Sequence, residues 1–126
     1  MAAIATFASR TSAQACIGIA EGMCEAIYYC WVETYGDSID CEFILYDSYC
    51  NVLAQDVGPN VGDALDSELP YTVDIAQLST YTIPGDISAQ WWYAGGLYGK
   101  GASPYSTGTF TSGLSAGAWV RAGFNC

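Results

Sequence analysis

The chain has 126 residues, of which 52% are hydrophobic and 13% charged, with thirteen acidic side chains against three basic ones and a net charge of −10. This is the size of a single domain, with enough apolar surface to form a core. Three basic residues cannot neutralise a phosphate backbone, so the composition excludes a nucleic-acid-binding protein. No apolar run approaches the ~20 residues of a membrane-spanning helix, so we expect no membrane span.

Six cysteines, an even number, predict three disulfides and an oxidising compartment, and hence an extracellular or cell-surface protein. They are Cys16, Cys24, Cys30, Cys41, Cys50 and Cys126. Five of them lie within residues 16–50, so we expect a cross-linked block there, with Cys126 tying the C-terminal residue back to it. A zinc site is disfavoured, because the sequence has no histidine and no two cysteines separated by two residues.

Residues 1–15 are small and apolar, carry no acid, and include Ile4, Phe7 and Arg10. The segment ends in Ala-Gln-Ala, a pattern that signal peptidase cuts, but no positive charge precedes its apolar run, so we expect it to remain in the mature chain. It is too short to form a core and must pack on its own domain or on another copy. We interpret it as an arm in strand conformation, with a helix that places Ile4, Phe7 and Ala8 on one face as the alternative. For the strand predicted at 15–20, the alternative is a helix over Ser12–Ala26.

Runs of aromatic and β-branched residues, with turn residues roughly every 8–12 positions, predict many short strands. The predicted strands are 15–20, 26–34, 40–46, 51–57, 70–77, 79–83, 87–94, 105–111 and 115–124, with turns at 35–38 and 84–86, a loop at 58–69 and a mobile, glycine-rich connection at 95–105. The turn at 35–38 makes its two flanking strands antiparallel and brings Cys24 opposite Cys50. These two cysteines are therefore the predicted disulfide pair.

The pattern as a whole predicts a mainly β protein: a single-domain antiparallel β-sandwich, Ig-like or jelly-roll-like, that is stabilised by disulfides and carries an N-terminal arm. Residues 16–126 form the predicted domain and residues 1–15 the arm. No internal repeat and no linker divides the chain.

The sequence carries no recognisable catalytic signature. Without histidine there is no Ser-His-Asp or Cys-His arrangement, and no phosphate-binding glycine loop occurs. We therefore expect a protein that is not an enzyme and needs no cofactor. Asp63, Asp66 and Glu68 crowd together in the predicted loop and are weak candidates for calcium ligands, although their spacing is not that of an EF-hand. The simpler interpretation is a solvated acidic loop.

Trp91, Trp92 and Tyr93 are three consecutive aromatic residues in one predicted strand. Strand alternation points Trp91 and Tyr93 to one face and Trp92 to the other. At least one face must then pack in the core, and the other is available for a subunit contact or for a sugar ring, which stacks on flat aromatic faces.

The charges are unevenly distributed along the chain. All thirteen acids lie between Glu21 and Asp86, whereas the three bases, Arg10, Lys100 and Arg121, lie outside that window. One interpretation is that solvated loops carry the acids. The other is head-to-tail association, in which the basic ends of one copy meet the acidic middle of the next.

Together with the apolar arm, this second interpretation favours a structural subunit that polymerises with copies of itself into an extracellular fibre, pilus-like filament or surface layer. The arm, through Ile4, Phe7 and Arg10, would add a strand to the sheet of the next copy. This logic resembles that of the donor-strand pilins of bacterial surface fibres, whose N-terminal extension fills a groove in the neighbouring subunit. The resemblance covers residues 1–15 alone, rests on no sequence motif, and implies no role for a particular residue.

The alternative function is a secreted, monomeric module that binds a glycan or a protein through Trp91–Tyr93 or through the glycine-rich connection. The arm would then fold back on its own domain. The two functions differ in the size of the protein in solution.

Overall fold

The structure, a computed structural model, describes residues 16–17, 22–33, 39–79, 87–112 and 115–126. Within these residues the chain forms nine strands and no helix. The strands are β1 (Met23–Glu33), β2 (Ile39–Tyr46), β3 (Val52–Val57), β4 (Ala64–Leu65), β5 (Val73–Leu78), β6 (Ala89–Tyr93), β7 (Gly96–Gly99), β8 (Tyr105–Ser112) and β9 (Ser115–Asn125). No helix capable of crossing a membrane occurs in this part of the chain.

The strands form two antiparallel sheets, one with the order β3-β2-β1-β9-β8 and the other with the order β4-β5-β6-β7. Side chains of both sheets meet in one core cluster. At its centre, the ring of Trp91 meets the rings of Phe43 and Phe124 edge-on, with centroids 5.6 and 6.0 Å apart. Aromatic rings favour this geometry because the positive edge of one faces the negative face of the other. The prediction of a mainly β, sandwich-like architecture is confirmed.

Two strands lie where the sequence predicts none, because β4 falls within the predicted loop 58–69 and β7 within the predicted connection 95–105. The glycines of the connection serve close packing. Gly99 has a φ of +100°, and a Cβ there would overlap the carbonyl oxygen of Ala89. Glycine is used at this position because the two backbones approach so closely.

The helix that we considered for Ser12–Ala26 is wrong for Met23–Ala26, which belong to β1 and pair with β9. Neighbouring strands on both sides, β2 and β9, satisfy the backbone of β1 and override any helical preference. Several other predicted segments lie outside the described residues. They are the arm 1–15, most of the strand 15–20, the turns at 35–38 and 84–86, and all but Ser79 of the strand 79–83.

All six cysteines are paired, as Cys16–Cys50, Cys24–Cys126 and Cys30–Cys41, so the prediction of three disulfides and of a tie from Cys126 is confirmed. The predicted pair Cys24–Cys50 is wrong. In the actual register, the midpoint between the residue numbers of two opposite residues, such as Cys30 and Cys41, falls between 35 and 36. For Cys24 and Cys50 the midpoint is 37, so these two cysteines are not opposite each other. The actual register leaves Cys24 opposite Phe124 of β9, close to the C-terminal residue.

Candidate functional site: the outer face of the five-stranded sheet

Of the three residues in the predicted aromatic surface, Trp91, Trp92 and Tyr93, only Trp92 is exposed. Trp91 and Tyr93 are 1% and 3% exposed and belong to the core, whereas Trp92 points the other way and is 46% exposed. The predicted alternation is therefore correct. Trp92 lies directly between Asp74 of β5 and Leu97 of β7, in a row across the four-stranded sheet.

The acidic residues proposed as calcium ligands do not converge. Asp63 accepts a hydrogen bond from the Asn60 N–H at 2.8 Å, and Asp66 accepts one from the Thr72 hydroxyl at 3.1 Å. Among the residues that the structure describes, no three side chains of the metal-binding types are placed to hold an ion. These carboxylates instead brace the loop that leads into β4 and β5.

Asp63 also lies against Asp56 of β3. Burial, together with the neighbouring Asp63 carboxylate, raises the pKa of Asp56 to about 6. The hydrogen bond from the Asn60 N–H lowers the pKa of Asp63, so that Asp63 is the charged member of the pair. A shared proton is the ordinary way for two adjacent carboxyl groups to coexist.

The predicted assembly residues Ile4, Phe7 and Arg10 lie outside the described residues. Of the other two bases, Lys100 is exposed in the turn after β7, and Arg121 is half-buried on β9. The guanidinium of Arg121 lies over the ring of Trp119, 4.6 Å from its centroid, which is a cation–π arrangement.

The sheet that carries Arg121 has two apolar faces. Its inner face packs on the four-stranded sheet, and a second cluster of buried side chains lies on the opposite face. We call this opposite side the outer face. Its apolar members are Ile27, Tyr29, Ile44, Tyr46 and Phe110, with Cys16, Trp31 and Trp119 packed against them. No residue of the four-stranded sheet belongs to this cluster.

The outer face has a regular arrangement across β1 and β2. Ile27 pairs with Ile44 at its centre, and a glutamate–tyrosine pair lies on each side: Glu25 with Tyr46, and Tyr29 with Glu42. Because the two strands are antiparallel, each contributes one glutamate and one tyrosine. The result is an apolar strip that carries a buried carboxyl group at either end.

Glu25 is the more deeply buried of these carboxyl groups, at 1% exposure. Its Oε1 lies 3.8 Å from Nε of Arg121, and its Oε2 accepts a hydrogen bond from the Ile17 N–H at 3.2 Å. Burial raises the pKa of Glu25 to about 7, against the opposing effects of Arg121 and the Ile17 N–H. Desolvation of the carboxylate therefore outweighs its ion pair.

Glu42 is buried as well, and neutral groups satisfy it. Its Oε2 accepts a hydrogen bond from the Tyr29 hydroxyl at 3.2 Å, and its Oε1 accepts one from Nε2 of Gln55 at 3.3 Å. Burial raises the pKa of Glu42, and the Tyr29 hydroxyl opposes that rise. Burial and the charges of Glu42 and Glu25 raise the pKa of Tyr46 to about 12.

The start of the described chain is fixed beside this face. Cys16 packs against the outer cluster and is bonded to Cys50, in the turn between β2 and β3. Ile17 is hydrogen-bonded to Glu25. The described chain therefore begins at the rim of the outer face, at Cys16.

One side of the outer face ends at β8, which pairs with β9 among the described strands. The pairing is unbroken from Tyr105 to Ser112. Within it, Phe110 is opposite Gly117 and Trp119 is opposite Gly108, and each ring occupies the space beside its glycine. In each of these two pairs, an aromatic residue on one strand is thus opposite a glycine on the other.

Sequence reasoning missed Glu25, Glu42 and Arg121 as members of a site. A signal for the outer face was present in β1 and β2, where every side chain from Cys24 to Cys30 and from Glu42 to Tyr46 is buried. Strands that are buried on both faces read as continuous apolar runs, whereas a half-exposed sandwich strand alternates. Those runs predicted strands correctly, but we interpreted them as ordinary sandwich strands.

Comparison of the chain with protein-family models, curated proteins and solved structures gave no match. Function is therefore inferred from the geometry of the chain itself.

Proposed function

We propose that the protein is an extracellular or cell-surface structural subunit, which polymerises into a filament or layer when the arm of one copy occupies the outer face of the next. One observation carries the proposal: β1 and β2 bury both faces, and the four-stranded sheet packs on only one of them. A sheet with two apolar faces needs a covering layer on each.

The arm suits this role by composition. Residues 1–15 are apolar, contain no acid, and carry one base, Arg10. The outer face holds two buried carboxyl groups. Among the described residues, Arg121 forms its ion pair with Glu25, whereas Glu42 accepts hydrogen bonds from neutral groups. A carboxylate has room for further donors beyond the two that Glu42 accepts, so Glu42 offers Arg10 a charge-assisted contact.

The distances are also suitable. Glu42 is opposite Tyr29, four residues along β1 from Glu25, or about 13 Å away. Arg10 is six residues from Cys16, which lies at the Glu25 end of the face, and six extended residues span about 20 Å. Within one copy, an arm that starts at Cys16 therefore brings Arg10 within reach of Glu42.

The same contacts can form within one copy or between two copies. Exchange of an identical element between subunits costs little, because it replaces each contact by its equivalent. An arm that binds the next copy leaves that copy's own arm free to bind a third, so the exchange generates an open chain. The three disulfides keep each subunit rigid while its arm is exchanged.

The first test is the size of the protein in solution with and without the arm. We expect the intact chain to form polymers that light scattering and negative-stain imaging detect, and deletion of residues 1–14 to leave small, soluble species. An intact chain that stays monomeric at high concentration would contradict the proposal.

A charge reversal gives a matched control. Arg10→Glu should weaken polymerisation strongly, because it places a third carboxylate against Glu25 and Glu42. Lys100→Glu makes the same change in net charge at an exposed turn and should leave polymerisation intact. Equal effects of the two substitutions would show that net charge alone controls association and would overturn the arm's role.

A second function, glycan binding, is supported by the position of Trp92. Its exposed indole lies beside the Asp74 carboxylate in the row across the four-stranded sheet, so that a stacking surface and a hydrogen-bond acceptor are adjacent. In a glycan-array measurement, Trp92→Ala should abolish binding and Leu97→Ala should weaken it less. Unchanged binding in Trp92→Ala, or no binding by the intact chain, would exclude this function.

A further inference from the structure

The two described sheets have four outermost strands, and three of these are short or interrupted. β4 has two residues and β7 has four. β3 has six residues, carries the acidic Asp56, and is paired with β2 through a register shift at Leu45/Tyr46. Short length, charge and bulges are the features that keep an edge strand from pairing with another chain.

β8 lacks all of these features. It has eight residues, contains no charged residue and no proline between Tyr105 and Ser112, and pairs with β9 without a register shift. The exposed side chains along it are small hydroxyl residues, namely Ser106, Thr107, Thr109 and Thr111. Threonine favours strands, and threonine pairs across two strands stabilise a sheet.

We propose that β8 is a second self-association surface, on which two copies pair edge to edge in antiparallel fashion about a two-fold axis at Thr109. The partner is a second copy, because the strand is complementary to itself in this register. Thr109 meets its equivalent, Thr107 meets Thr111, and Gly108 meets Phe110. No two bulky side chains face one another, and the five-stranded sheets of the two copies become continuous.

The physical basis is the backbone of the edge. Thr107, Thr109 and Thr111 direct their N–H and C=O groups away from β9, and a second β8 provides partners for all three at once. A two-fold contact uses the same surface on both copies and closes after two subunits. It therefore joins copies laterally and does not lengthen a filament. It needs neither the arm nor the outer face, so it goes beyond the proposed function.

Oxidative cross-linking of the full-length chain tests the register. Residues directly opposite in an antiparallel pair have Cα atoms about 4.5–5.5 Å apart, within the range of a disulfide. Thr109→Cys should therefore give a covalent dimer as its main product under mild oxidation. Thr107→Cys alone should give no covalent dimer, because its two copies would be about 13 Å apart. A mixture of Thr107→Cys with Thr111→Cys should cross-link.

Peptide mapping should place residue 109 on both sides of the new bond and leave the three native disulfides intact. A folded Thr109→Cys protein that forms no covalent dimer would overturn the proposal, as would one that cross-links no faster than Thr107→Cys. In the double variant Arg10→Glu, Thr109→Cys the dimer should persist, since the arm takes no part in it. Failure of the arm mechanism and failure of β8 pairing are thus distinguishable.

Discussion

The indole of Trp119 lies beside Gly108, the residue directly opposite it in the pairing of β8 with β9. A Cβ at position 108 would overlap this ring. Two positions before Trp119 on β9, a Cβ at Gly117 would overlap both the ring of Phe110 and the carbonyl oxygen of Cys30. The two glycines therefore differ in what opposes a side chain.

This difference predicts unequal costs for two similar substitutions. Gly117→Ala should lower the free energy of unfolding by about 1–3 kcal/mol, because the Cys30 oxygen belongs to the backbone of β1 and cannot move aside. Gly108→Ala should cost less, since the half-buried Trp119 ring can swing outward, and its fluorescence should shift to longer wavelength. Urea unfolding and tryptophan emission measure both effects. Thr111→Ala, on the exposed side of β8, is the control, expected within about 0.5 kcal/mol of the parent.

Glu25 predicts a loss of stability on passing from acid to neutral pH. Its folded-state pKa of about 7 lies above the ordinary value of 4.5, so the folded protein binds more protons than the unfolded chain between these two values. The free energy of unfolding should therefore fall as the pH rises from about 4.5 to 7. Glu25→Gln resembles the protonated acid and should be more stable than the parent at pH 8, by about 1–3 kcal/mol.

Thermal unfolding across this pH range checks the Glu25 prediction. At pH 4 the two proteins should unfold at similar temperatures, because Glu25 is protonated there. The exposed Glu68→Gln is the control and should show no such divergence. A constant difference at all pH values would mean that the ionisation of Glu25 is not responsible.

Asp56 gives a second pH dependence in a different window. Its pKa is raised to about 6 from 3.8, so its contribution to stability is lost as the pH rises through that interval. An asparagine can donate a hydrogen bond to Asp63 at every pH, as the protonated acid does. We expect Asp56→Asn to flatten the stability curve between pH 4 and pH 6 and to raise the unfolding temperature at pH 8, and the exposed Asp74→Asn to do neither.

The disulfides should contribute unequally to stability. Cys24–Cys126 spans 102 residues and Cys30–Cys41 spans 11, and a cross-link that closes a longer loop removes more entropy from the unfolded chain. By this model the first is worth about 4.7 kcal/mol and the second about 2.8 kcal/mol. Urea unfolding of the paired alanine variants measures the difference. A greater loss on removal of Cys30–Cys41 would show that packing at this core site outweighs chain entropy.

Local patterns were sufficient to predict most strands. The run AIYYCWVE lies in β1 and the run DCEFILY in β2, and the alternation at Trp91–Tyr93 predicted which rings are buried. These features depend on side chains a few residues apart, and the printed sequence contains them in full.

Features that depend on register were not predictable in the same way. A shift of three positions in the pairing of β1 with β2 decides whether Cys24 meets Cys50 or lies beside Cys126, and composition does not specify that shift. The outer-face carboxyl groups depend on the same register, because Tyr29 reaches Glu42 only when the two are directly opposite. β7 was missed because its glycines suggest mobility, whereas Gly99 allows a close approach to Ala89.

The bond between Cys16 and Cys50 has a mechanical consequence for any assembly that is held through the arm. A load that enters the domain at residue 16 passes along a covalent path to residue 50, and the 34-residue loop between them carries none of it. Both β1 and β2 lie inside that loop. Tension on the arm therefore cannot peel these two strands from the sheet, and the load falls instead on the turn before β3. These two central strands are shielded from force that is applied through the subunit's own arm.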